Sequence, residues 1–124
     1  MHSIRRVGVL LVVLLSGCGA QPSSVNVPFP SAPKERALHC HTVLTVHLQR
    51  MTEMTGSNSV AKRLRQDYVN AQRAAATSLD VNELLKPIDV QTERMMKTVD
   101  AFENDGPAWG QRVELCTETY GPKQ

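Results

Sequence analysis

The chain carries its apolar residues in three rhythms. An unbroken apolar run extends from Val7 to Leu15, Gly19 to Pro33 shows no helical or strand period, and helical stripes follow to the C-terminus. The first stripe is Ala37, Cys40, Leu44, Leu48 and Met51, entered at Pro33, whose missing N–H suits the first turn of a helix. Gly56 to Asn58 breaks it, with Ser57 or Ser59 able to cap the next helix. The second stripe is Val60, Ala61, Leu64, Tyr68, Ala71, Ala75 and Leu79, opposite a face bearing Lys62, Arg63, Arg65 and Arg73. Its alanines allow a neighbouring helix to come close.

A third helix is predicted from Asp80-Val81-Asn82-Glu83, which has the form of a capping box. Pro87 would remove the bond to the Glu83 carbonyl, so the spacing predicts either a kink or one short turn and a restart. The stripe then runs Ile88, Thr92, Met95, Val99, Phe102 as far as Asn104. Asp105-Gly106-Pro107 restarts the chain, and Trp109, Val113, Cys116 and Tyr120 form a fourth short helix stopped by Gly121. No stretch alternates with period two for long enough to make a strand, so the fold class is all-α.

Between Gly19 and Pro33 lie four of the seven prolines together with three serines. This is the composition of an extended tether, able to reach about 45 Å at about 3.1 Å per residue. Val27 and Phe29 offer the rival arrangement, folding back onto the domain.

The apolar run from Val7 to Leu15, preceded by Arg5 and Arg6, is too short to span a bilayer as a stable helix and has the form of a processing signal. At its end, Leu15-Ser16-Gly17-Cys18 resembles the lipobox of bacterial prolipoproteins. That resemblance covers the first 18 residues and implies cleavage before Cys18, acylation of its sulfur and usually of the new amino terminus, and membrane lipid as the first partner. By the sorting rule of enteric lipoproteins, Gly19 rather than aspartate after the cysteine implies the outer membrane, facing the periplasm.

Removal of the leader changes the charge. The formal +2 falls to zero because twelve basic residues then face twelve acidic ones. A neutral domain whose longest basic run is Lys62-Arg63 has no electrostatic footprint for nucleic acid. With Cys18 assigned to lipid, Cys40 and Cys116 remain as an even pair in an oxidising compartment, which favours a disulfide over two buried thiols. Four helices joined by short loops most simply run up-down-up-down, with the first antiparallel to the fourth, so the ends that carry Cys40 and Cys116 become neighbours. The expected organisation is a signal peptide over 1–17, a lipidated cysteine and flexible linker over 18–33, and a disulfide-closed four-helix bundle over 34–121.

The candidate chemistry is thin. His47, Met51 and Met54 share a helix face and could offer a copper-type site, with haem as a related alternative; otherwise the methionines fill core gaps. His39 and His41 lie about 160° apart on a helix and cannot close on one ion. No haem-attachment, zinc-protease, nucleophile-elbow or phosphate-loop pattern occurs, and Asp89, Glu93 and Asp100 are spaced as a solvated face. No cofactor and no catalysis are expected. Trp109 beside Gly110, with Tyr120, is the candidate surface for an envelope protein partner, the alternative being a core aromatic.

Overall fold

The structure, a computed structural model, describes residues 25–55 and 59–122, with side chains outside 52–61. It contains α1 (Pro33–Thr55), α2 (Ser59–Thr77), the one-turn α3 (Val81–Leu84), α4 (Ile88–Ala101) and α5 (Gly106–Tyr120), and no strand among the described residues.

The longest helix, α1, is the hub. Ala37, Cys40, Val43 and Leu44 are fully buried along it. Burying two such apolar faces on successive turns is what fixes a helix in water, since propensity alone leaves short helices marginal. Buried Thr42 satisfies its hydroxyl on the Leu38 carbonyl at 2.8 Å, so the core carries no unpaired polar cost there. Against α1 pack α2, α4 and α5, and α2 also packs on α5. Gln72 donates to the Thr45 hydroxyl at 2.8 Å and Tyr68 meets His47, so α2 runs antiparallel to α1. Fully buried Ala71 and Ala75 are where α2 comes closest, as its alanine content predicts.

Cys40 and Cys116 form the disulfide between α1 and α5, with Cα atoms 5.3 Å apart. His47 meets Trp109 one end further along, so α5 also runs antiparallel to α1. A square bundle would seat α4 between α2 and α5. Instead α4 rests chiefly on α1, while α2 and α5 pack on α1 and on each other.

Of the two arrangements expected at Pro87 the structure has the second: the chain makes one turn and restarts at Ile88 with Pro87 as its cap. Other local expectations change. The Asp80 capping box is not formed, because the Asp80 carboxylate takes Lys34 at 3.2 Å and Glu83 takes Arg94 at 2.9 Å. Ile88, placed on the buried stripe by its spacing, is 76% exposed, and Val81 and Leu85 beside it are also exposed. Burial along the stripe begins only at Met95 and Val99, both partly buried, and is complete at Phe102, because α4 packs chiefly on α1. The restart expected at Asp105-Gly106-Pro107 is present, and Asp105 caps α5 there, accepting from the Ala108 amide at 2.9 Å, with Pro107 in the first turn. The turn before it places Glu103 and Asn104 at φ 50° and 58°. Gly56 to Asn58 lies outside the described residues.

The largest departure concerns the linker. Residues 25–31, expected as part of a flexible tether, are extended but packed on the bundle, with Val25, Val27 and Phe29 against its core. Residues 18–24 lie outside the described residues.

Candidate interaction surfaces

Two grooves flank α5, and opposite chemistry lines them. The first is occupied by the strap of residues 25–31. An extended proline-rich segment makes no hydrogen bonds of its own, so its carbonyls need donors if it is to leave water. Two arginines provide them. Arg112 of α5 donates to the carbonyls of Val27 and Pro28 and, at 2.7 Å, to Nε2 of His39 on α1. Arg36 of α1 donates to the carbonyls of Pro30 and Ser31 at 2.9 and 2.8 Å. Phe29 sits between the two guanidinium groups, 5.6 Å from Arg36 and 5.3 Å from Arg112, and meets the His39 ring edge-on. Arg112 also covers Phe102. One cation thus ties the strap, α1, α4's end and α5 together.

His39 works here as a neutral acceptor. Burial and, after it, the Arg112 charge lower its pKa to about 4, so the imidazole presents a lone pair to the guanidinium at neutral pH. Between the strap and α4 a cleft of about 480 Å³ remains, lined by Val27, His39, Val90 and the polar side of α4. Its charges are largely spent on neighbours: Lys97 pairs with Glu93 at 3.2 Å and Arg94 with Glu83.

The second groove, about 460 Å³, lies between α2 and α5. Leu64, Tyr68 and Val113 give it an apolar floor, Asp67, Glu114 and Glu118 stand around it, and among the described residues no lysine or arginine lines it. Leu64 is 46% exposed. Gly110 forms part of the wall, and a Cβ built there would meet nothing within 4 Å.

The residues singled out from the sequence are distributed as follows. Cys40 and Cys116 are brought together. Cys18 lies outside the described residues. Trp109 is 8% exposed and belongs to the core: its ring meets Phe102 edge-on at 5.3 Å, Arg50 covers it at 4.9 Å, and its indole N–H points to Nδ1 of His47 at 3.4 Å. Gly110 therefore does not bare the indole; it opens the acidic groove. Tyr120 is half-buried at the far end of α5, so the two aromatics do not share an exposed patch. His47 stacks edge-on with Tyr68 at 4.9 Å. Since an indole can only donate, Nδ1 of His47 is the acceptor and its proton is on Nε2. Burial, then Arg50, lowers its pKa and keeps it neutral. Met51, one turn on, is buried, and Met54 falls outside the described side chains, so the set of His47, Met51 and Met54 lies partly outside them. Among the described residues no cluster of three or more His, Cys, Asp or Glu could hold a metal ion, and no helix is long and apolar enough to cross a membrane.

The docked strap is the rival arrangement that Val27 and Phe29 offered, whereas Arg112, which holds it, had no signal in the sequence. Comparison with family models, with curated proteins and with solved structures gives no match.

Proposed function

We propose that the chain is a lipid-anchored envelope lipoprotein whose helical domain is a non-catalytic interaction module facing the periplasm. In this reading residues 1–17 are removed, acyl chains on Cys18 hold the protein to the outer membrane, and the domain from residue 34 meets an envelope protein. The observation that carries it is the Cys40–Cys116 bond. It uses two of the three cysteines, belongs to an oxidising compartment and leaves Cys18, at the end of the lipobox, as the thiol available for acylation. Several acyl chains, at about 0.8 kcal/mol per buried CH₂, make such anchoring effectively permanent. The docked strap shortens the spacer: with residues 25–31 held on the bundle, residues 19–24 alone span the distance to the lipid, about 20 Å at most. A domain held that near the bilayer meets partners at the membrane surface.

The test is the mass of the protein recovered from cell envelopes, after growth with a labelled fatty acid. A mature chain starting at Cys18 and carrying label, with label lost in Cys18→Ser, is the expected result. A full-length, unlabelled chain with three reactive thiols sinks the reading.

A further inference from the structure

The acidic groove holds charge that the fold itself does not use. Asp67, Glu114 and Glu118 make no salt bridge among the described residues, whereas Asp80, Glu83 and Glu93 each do. Their placement works against the helix that bears two of them. Glu114 and Glu118 are like charges four residues apart, a spacing that destabilises a helix by a few tenths of a kcal/mol. Glu118 also sits in the last turn of α5, where the macrodipole favours cations, and that turn contains no basic residue. His47, the remaining titratable group of the lining that could carry positive charge, is held neutral by burial and by Arg50. Beneath these carboxylates lies an apolar floor with Leu64 nearly half exposed. Carboxylates over an apolar trough complement a ligand with both apolar and cationic side chains.

We propose that the groove between α2 and α5 is a docking site for a cationic amphipathic segment of a partner protein, its apolar side chains on Leu64, Tyr68 and Val113 and its lysines or arginines on Asp67, Glu114 and Glu118. This names the partner class for the interaction module proposed above and rests on that part of the reading. Apolar contact supplies the affinity, and the carboxylates supply orientation, encounter rate and rejection of acidic partners. Gly110 keeps the trough open: a Cβ added there would meet nothing within 4 Å.

The experiment uses the full chain with Cys40–Cys116 oxidised. The probe is a fluorescent helical peptide with leucines on one face and lysines on the other, and a matching peptide with glutamates replacing the lysines is the control. Saturable binding of the lysine peptide, weakening with salt, is expected. Gly110→Leu, which leaves every charge in place, weakens it by about tenfold or more by filling the trough, and so does the triple Asp67→Asn/Glu114→Gln/Glu118→Gln, which also removes the salt dependence. Asp89→Asn with Asp100→Asn on α4 leaves binding unchanged. Thermal unfolding run on each variant separates lost binding from lost fold, and the amide triple is expected to melt at or above the wild-type temperature. No saturable binding, equal binding of the glutamate peptide, undiminished binding to Gly110→Leu, or salt-sensitive self-association that competes with the peptide would each overturn the proposal. Acylation of Cys18 is read independently, so its failure is distinguishable from failure of the groove.

Discussion

The two sides of α5 face similar depressions and resolve them in opposite ways. On one side Arg112 faces a strap of the chain itself, and every hydrogen-bonding direction it turns inward finds a carbonyl, a neutral imidazole or an aromatic face. On the other, Glu114 and Glu118 face an open trough and pair with no cation among the described residues. The stretch from Cys18 onward, whose formal charges sum to zero, is therefore not evenly neutral. The charge on the strap side is consumed in folding, and the charge on the α2 side is left over for whatever comes from outside. Net charge alone does not distinguish these cases, because both faces belong to one helix a few residues apart.

The bond that holds both sides in place gives the largest expected effect. Cys40 and Cys116 are separated by 76 positions, and opening a loop of that length costs up to about 4.5 kcal/mol on the chain-entropy model. That is comparable to the whole stability of a domain this small. The double variant Cys40→Ser/Cys116→Ser, which leaves no thiol to mispair with Cys18, is expected to melt far below the wild type. Both faces of α5 should lose amide protection together. An unchanged melting temperature would mean that the two sides are held independently.

Arg112 comes next, and it separates the sides. Arg112→Met removes the donors to the strap and two aromatic contacts, at a cost of about 2 kcal/mol. Hydrogen exchange and proteolysis should rise over residues 25–31, while the α2–α5 groove still binds its peptide. Arg112→Lys should not restore the strap, since one ammonium cannot reach two carbonyls and His39 while covering Phe29 and Phe102. Protection of the strap persisting in Arg112→Met would show that Val25, Val27 and Phe29 hold it by apolar burial alone.

The sequence revealed the helices and hid their arrangement. Helical period, the proline restart at Ile88 and the break at Asp105-Gly106-Pro107 are local properties, written within a few residues, and each is present. The pairing of Cys40 with Cys116 is long-range but had a chemical label. Neighbours without such a label were not legible: that the Asp80 carboxylate meets Lys34 while the Glu83 amide bonds only the Asp80 backbone carbonyl depends on where α1 begins in space. Ile88 and Met95 share a stripe, yet Ile88 is exposed, because a stripe is buried only where another element covers it. The strap was concealed by its prolines, which match a free tether as well as a docked one. Only the arginines 5 and 84 positions away from it decide between them.

A pH titration provides a graded probe of the strap side. The folded-state pKa of His39 is about 4, lowered by burial and then by Arg112, against about 6.5 in the unfolded chain. Between these values the unfolded state binds more protons, so stability rises with pH across the window and is complete above about pH 6.5. It is lost as pH falls toward 4, when His39 would have to charge beside Arg112. His41, lowered by burial and then Arg94, and His47, lowered by burial and then Arg50, act in the same direction. Urea midpoints measured from pH 7 down to 4.5 should fall, with a shallower slope in His39→Gln, whose amide oxygen can still accept from Arg112 without titrating. A slope unaffected by this change would remove His39 from the strap's energetics.

The smallest effect separates two glycines of the last helix and its cap. Gly110 sits within α5 on the open groove, where an added Cβ meets nothing, so Gly110→Ala should gain about 0.5–1 kcal/mol from backbone entropy alone. For a domain of this size that raises the melting temperature by a few degrees. Gly121 is different: its amide bonds the Thr117 carbonyl at 2.6 Å, and a Cβ would run into that same carbonyl, although its φ of −72° is open to any residue. Gly121→Ala should therefore destabilise the end of α5 because of close approach, not because of a left-handed turn. If Gly110→Ala failed to stabilise, the α2–α5 groove would be more tightly closed than its lining indicates, and the contrast between the two sides of α5 would lose its open half.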